Sequence, residues 1–76
     1  MRKEEFKMER PGLVEIGQRV SIVEKSTVAF YYYIIVPAVA MSGNFSFSDR
    51  IMSTEGTVVD IRKNEKGYFV DVEFEA

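Results

Sequence analysis

The side chains of this 76-residue chain offer few groups for catalysis. It contains neither cysteine nor histidine, so the common thiolate and imidazole nucleophiles, bases and metal ligands are missing. Serine–lysine or tyrosine–lysine pairs remain, but no local motif brings such a pair together. The carboxylates of Asp60, Asp71 and Glu73 are expected to share one hairpin face, either binding a hard cation weakly or serving as solvated surface charge. We therefore predict a non-enzymatic protein without catalytic residues, metal site or cofactor.

A run of four aromatic residues is the strongest candidate for a binding site. It consists of Phe30, Tyr31, Tyr32 and Tyr33. Because neighbouring residues of a strand point to opposite faces, these side chains cannot all enter one core. Two of them would face solvent, line an interface for a protein or peptide, or stack on single-stranded nucleic acid. In the alternative, one pair packs in the core and the other lies beneath the loop around 38–41.

The C-terminal third of the chain predicts a β-hairpin that would hold a second binding patch. Apolar and polar residues alternate over 57–62 and 68–74, as in strands with one dry and one wet face. The polar run 63–66 and the following Gly67 are typical of a turn. Placing Arg62 opposite Gly67 predicts these inner pairs: Ile61 with Tyr68, Val59 with Val70, and Thr57 with Val72. On the outer face, Val58 and Phe69 would lie opposite Asp71 and Asp60, respectively, and add an apolar patch among charges.

The uncharged stretch 26–48 is expected to form two further strands. Its apolar run is interrupted by Pro37 and is shorter than the roughly 20 residues of a transmembrane helix, so a membrane-attached peptide is only an alternative. Strands are predicted at 28–36 and 45–51, joined by a loop that contains Pro37 and the turn Ser42–Asn44. An earlier strand is predicted around Val20 and Ile22, which alternate with polar residues.

Residues 1–12 are expected to form a charged arm, flexible or with one short helical turn. Like charges at i,i+4, such as Lys3 with Lys7, weaken a helix in this segment, and Pro11-Gly12 ends it. We therefore divide the chain into this arm and a barrel over 13–76. The charged opening is not followed by the apolar region of a signal peptide. Together with the lack of cysteine, this predicts a cytoplasmic protein.

Charge and length indicate the kind of partner. The net charge is −2, whereas domains that bind nucleic acid usually carry a basic patch, so neither nucleic acid nor a membrane is the expected partner. Instead we expect another protein or peptide. A chain of this length lies near the lower limit for independent folding, and a homodimer is a further expectation.

Three segments together resemble a known barrel family. They are Ile16-Gly-Gln-Arg-Val20, Gly56-Thr-Val-Val-Asp-Ile61 and Tyr68-Phe-Val-Asp-Val72. Their layout is similar to that of bacterial SH3-like domains, including the KOW type of ribosomal and transcription factors. The resemblance implies an all-β fold: a small, five-stranded, strongly bent SH3-like barrel with a flexible or short-helical N-terminal arm.

Two functions follow from this resemblance as expectations. The segment Ala29–Tyr33 is similar to the ALYDY motif of eukaryotic SH3 domains, whose tyrosines help to form a groove for proline-rich peptides. We predict a small protein-interaction or regulatory accessory module that acts through Phe30–Tyr33 together with Val58 and Phe69. The KOW likeness implies the alternative, an RNA- or ribosome-associated module. It would contact phosphates through Arg19, Arg50, Arg62, Lys63 and Lys66.

Overall fold

Antiparallel strands close into a small barrel in the computed structural model, which describes residues 1–9, 12, 14–36 and 40–75. The described residues form six strands: β1 (Arg2–Met8), β2 (Arg19–Ser26), β3 (Tyr31–Val36), β4 (Ala40–Ser42), β5 (Glu55–Asn64) and β6 (Gly67–Phe74). Their order around the barrel is β1-β4-β3-β2-β5-β6, and pairing of β6 with β1 closes it. The predicted all-β barrel is confirmed, with six strands instead of five.

Most of the core is filled by side chains at alternate positions of these strands, as the pleat of a strand requires, and Val14 and Ile51 are added from connecting segments. Its buried residues are Phe6, Met8, Val14, Val20, Ile22, Tyr33, Ile35, Ala40, Ile51, Val58, Val70, Val72 and Phe74. Gly56 lets β5 pass close to this core, because a Cβ at that position would lie 2.6 Å from a Val72 methyl group. A membrane-spanning helix is absent from the described residues.

The N-terminal segment was predicted to be a flexible or helical arm, and this prediction was wrong for Arg2–Met8. These residues form β1, which pairs with β6 along its whole length and with β4 near its end. Phe6 and Met8 lie two positions apart and both are buried. Strand geometry therefore places two large apolar side chains in the core, and this outweighs the weak helical preference of the segment.

The predicted hairpin exists, but its register is different. A two-residue turn, Glu65-Lys66, joins the strands, so that Asn64 and not Arg62 lies opposite Gly67. Asn64 Oδ1 accepts a hydrogen bond from the Lys66 amide at 2.8 Å, and Gly67 has a φ of 132°. The observed pairs are Thr57 with Glu73, Val58 with Val72, Ile61 with Val70, and Lys63 with Tyr68.

A β-bulge at Val59 reverses the predicted faces at the start of β5. The register shifts between Val58 and Asp60, and an extra residue in one strand turns the preceding side chain to the other face. Val58 is therefore fully buried, while Val59 faces solvent. The prediction that Val58 is an outward binding residue was wrong for this reason.

The middle of the chain also differs from the prediction. β3 begins at Tyr31 because a tight turn over 27–30 precedes it. In this turn, Thr27 Oγ1 accepts a hydrogen bond from the Phe30 amide at 3.1 Å. The short strand β4 lies where a loop was predicted, and the predicted strand at 45–51 is replaced by a single bridge at Phe45 and a 3₁₀ turn at Phe47–Asp49. The predicted loop residues Pro37, Ala38 and Val39 lie outside the described residues.

Candidate protein-interaction surface

The four aromatic residues predicted as a binding site separate into different environments. Tyr33 is buried in the core with 1% of its surface exposed, and Tyr32 points outward from β3 and is half-buried. Tyr31 is also half-buried, and Phe30 is exposed in the turn between β2 and β3. Only Tyr33 is therefore a core residue, whereas the other three are accessible to a partner.

Tyr33 organises a buried polar contact between β3 and the segment before β5. Its phenol oxygen accepts a hydrogen bond from the Ile51 amide at 2.8 Å. The same hydroxyl donates a hydrogen bond to Glu24 Oε2, also at 2.8 Å. Burial raises the pKa of Tyr33, and the hydrogen bond to the Glu24 carboxylate raises it further. The phenol is thus held in its neutral, hydrogen-bonding form, which indicates a structural role.

Arg50 covers this contact from the solvent side. Its guanidinium forms two hydrogen bonds to the Glu24 carboxylate, at 2.7 and 3.0 Å. These bonds, together with the one from Tyr33, lower the pKa of Glu24. The same guanidinium lies 4.6 Å from the Tyr31 ring centroid and 5.4 Å from that of Phe47. Arg50 is therefore held by a carboxylate and two aromatic rings at once.

The outward side of β2, β3 and β4 is an apolar surface. Val23 pairs with Ile34, and Ile34 pairs with Met41, so that these residues form one row across the three strands. Tyr32 and Val36 flank Ile34 along β3, since residues two apart in a strand share a face. We call this surface the apolar sheet face; its members are Val23, Tyr32, Ile34, Val36 and Met41. Val23, Val36 and Met41 are 41%, 46% and 48% exposed.

The outward side of β1, β5 and β6 is charged by contrast. Arg62 Nη2 binds Glu5 at 2.6 Å and Asp71 at 2.7 Å, forming an ion-pair network across all three strands. Phe69 lies in this region, paired with Lys7 on one side and Arg62 on the other, and is half-buried. With Val58 in the core, the predicted patch of Val58 and Phe69 is not formed by the structure.

Two lysines border the apolar sheet face. Lys7 pairs with Met41 from β1, and Lys25 pairs with Tyr32 from β2. Neither ammonium group forms an ion pair within the described residues, whereas Arg50 and Arg62 do. Among the described residues, one exposed carboxylate without an ion pair, Glu55, pairs with Ser21 in the row of Val36. The unneutralised groups around the face in this part of the chain are therefore two lysines and one glutamate, and their charge is positive on balance.

Sequence reasoning missed Val23, Ile34, Val36 and Met41 as surface residues. A signal was present, because the consecutive apolar residues Ile34-Ile35-Val36 cannot all point inward from one strand. The sequence predicted a strand at 28–36 followed by a loop, but no face was assigned to these aliphatic residues.

Comparisons with known proteins do not identify the chain. No protein family model matches it, and no curated protein or solved structure has significant similarity to it. Its function is therefore inferred from the arrangement of its own residues.

Proposed function

We propose that this protein is a small, non-enzymatic, cytoplasmic interaction module that binds another protein through the apolar sheet face. The observation that carries the proposal is the row Val23–Ile34–Met41, which crosses three strands on the outside of the barrel. Singly exposed apolar residues are ordinary, whereas apolar side chains that adjoin one another across three strands form a contiguous patch, and such patches often mark interaction sites. The resemblance to SH3-like barrels, many of which bind peptides, supports the same proposal.

The charges around the face indicate the chemistry of the partner. Lys7 and Lys25 lie at its border without a carboxylate partner among the described residues. Carboxylates on the partner would meet these ammonium groups at the rim while apolar side chains cover the centre. Such an arrangement gives specificity and faster association. We therefore assign as partner a protein segment with apolar residues flanked by aspartate or glutamate.

The size of the face favours a foreign segment over a second copy of the chain. A stable protein interface buries about 800 Å² on each partner, which is roughly a sixth of the 5028 Å² surface of this molecule. Five residues supply only part of such an area. In a dimer formed through this face, Lys7 and Lys25 of both copies would lie at the same interface, where their like charges repel.

RNA binding is the alternative function, and the ion pairs make it the weaker one. Of the five basic residues predicted to contact phosphates, Arg50 is bound by Glu24 and Arg62 by Glu5 and Asp71. A phosphate would have to displace these carboxylates. Because phosphate contacts weaken steeply with salt, binding of a labelled single-stranded RNA at 50 and 200 mM salt tests this alternative.

The main proposal is tested by selecting peptides from a random linear library and measuring their affinity for two matched variants. Val36→Lys places a charge on the apolar sheet face, and Val59→Lys places one on the exposed bulge of β5, at a valine of similar exposure (46% and 36%). We expect selected peptides to be rich in acidic and apolar residues. We expect Val36→Lys to weaken their binding by about tenfold or more and Val59→Lys to leave it within a factor of two.

Three results would contradict the proposal. The library yields no binder, the selected peptides are basic, or both variants bind as tightly as the original protein. Self-association of the protein without peptide, abolished by Val36→Lys in sedimentation experiments, would instead identify a second copy of the chain as the occupant of the face.

A further inference from the structure

The barrel has a gap between β2 and β5. These strands pair only over Arg19–Ser21 and Glu55–Thr57, and one further hydrogen bond joins the Ile22 amide to Thr54 O at 2.8 Å. β2 continues to Ser26, still paired with β3 on its other side. Its second half therefore has a strand neighbour on one side only within the described residues.

The backbone groups of β2 that face this gap can be identified from the hydrogen-bond pattern. In an antiparallel ladder, the N–H and C=O of one residue point to the same side, and successive residues alternate. Since the Ile22 amide points to Thr54, the backbones of Glu24 and Ser26 also point away from β3. No described residue forms a backbone hydrogen bond to Glu24 or Ser26 on this side. Their donors and acceptors are thus exposed at a strand edge.

A small groove of mixed character lies directly beside this edge. It has a volume of about 190 Å³. Its lining combines Ile22, Tyr33, Ile51 and Met52 with the polar residues Glu24, Arg50, Ser53 and Thr54. The opposite wall is the segment 50–54, which is tied to β2 by the Arg50–Glu24 ion pair and by the hydrogen bond from the Ile22 amide to Thr54 O. Two further bonds anchor it to other parts of the barrel. The Ile51 amide is bound by the Tyr33 phenol, and Ser53 Oγ donates to Glu75 O at 2.7 Å. Met52 is 81% exposed at the rim.

The groove suits one side chain of an extended peptide better than a small molecule. Its volume is below the roughly 300–1,000 Å³ that is usual for small-molecule sites. An added strand would place every second side chain over the groove, where Ile22, Ile51 and Met52 offer apolar contacts.

We propose that an extended segment of a partner protein adds to the edge of β2. Its main chain forms hydrogen bonds with the backbones of Glu24 and Ser26, and one of its aliphatic side chains enters the groove beside Ile51 and Met52. This β-augmentation is a recurring mode of peptide recognition in which main-chain bonds supply affinity and a pocket supplies specificity. The site is separate from the apolar sheet face and depends on different groups.

The experiment uses the Val36→Lys protein, in which the apolar sheet face is disrupted, as the target for selection from a random linear peptide library. The selected peptide is then measured against two further substitutions at one position. Ser26→Pro removes the edge N–H, which is tolerated where the amide faces away from the ladder, and Ser26→Ala keeps it. We expect Ser26→Pro to weaken binding about tenfold or more and Ser26→Ala to leave it unchanged.

A scan of the peptide backbone makes the test independent of how Ser26→Pro folds. Each amide of the selected peptide is replaced in turn by an ester, which removes one hydrogen-bond donor. We expect affinity to fall only at alternate positions, because only every second residue of an added strand bonds to β2. Equal binding by all ester peptides, or selection of no peptide at all, would overturn the proposal. So would edge-to-edge dimers of the protein that Ser26→Pro abolishes.

Discussion

The phenol oxygen of Tyr33 accepts a hydrogen bond from the backbone N–H of Ile51 at 2.8 Å and thereby links β3 to the segment that precedes β5. The same hydroxyl binds Glu24 of β2. One buried side chain therefore fixes three segments that surround the gap in the barrel. The groove beside β2 exists because of this link.

We expect Tyr33→Phe to destabilise the protein by about 1–3 kcal/mol, because it leaves the buried Ile51 amide without its acceptor. Tyr32→Phe is the matched control, since the Tyr32 ring lies on the outer face and none of the described hydrogen bonds uses its hydroxyl. Urea unfolding of the three proteins measures the difference. Equal stability of Tyr33→Phe and the original protein would show that the phenol is dispensable.

The Glu24 carboxylate gives the stability a defined dependence on pH. Its pKa is lowered in the folded state, first by the hydrogen bonds from Arg50 and then by that from Tyr33. A lowered folded pKa stabilises the fold above the unfolded value, near 4.5, and this contribution is lost as the pH falls through the folded pKa. The original protein should therefore unfold at a higher temperature than Glu24→Gln at pH 7. The difference should shrink in acid, and a difference independent of pH between 7 and 2 would contradict this assignment.

Gly56 provides a test of core packing. A Cβ added there would lie 2.6 Å from Val72 Cγ1 and 2.8 Å from the Phe74 ring. We expect Gly56→Ala to cost about 1–3 kcal/mol through overpacking. At Gly43 nothing lies within 4 Å of such a Cβ, so Gly43→Ala should change the stability much less. Thermal unfolding of both variants checks this, and equal melting temperatures would refute the close approach of β5 to the core.

The N-terminal strand is tested by truncating one of its buried side chains. Phe6 is fully buried, so Phe6→Ala should destabilise the barrel by about 3–5 kcal/mol. Lys3→Ala, at an exposed position of the same strand, should have little effect. If residues 2–8 were an arm outside the core, both variants would retain the original stability in urea unfolding.

Part of this fold could be predicted from the sequence. The alternation of Tyr68, Val70 and Val72 was sufficient to identify β6, and all-β architecture followed from the short apolar segments with turn residues between them. The bulge at Val59 could not be predicted, because Val58 and Val59 are both apolar and either could face the core. That single extra residue decided which of them is exposed.

The candidate surface was harder to predict for a related reason. Whether an apolar residue lies inside or outside depends on strand pairing, and Ile34 is outward only because Tyr33 and Ile35 fill the core. Met41 was expected in a loop, yet it lies next to Ile34 once β4 pairs with β3. β1 was not predicted because Phe6 and Met8 are surrounded by charged residues in the sequence, although their spacing of two positions is that of a strand.

The most direct test of the apolar sheet face is a methyl NMR titration of the protein with a selected acidic, apolar peptide. We expect shift changes to concentrate on the methyl groups of Val23, Ile34, Val36 and Met41. Shift changes confined to other exposed residues, such as Val28 in the β2–β3 turn or Val59 on the bulge, would contradict it.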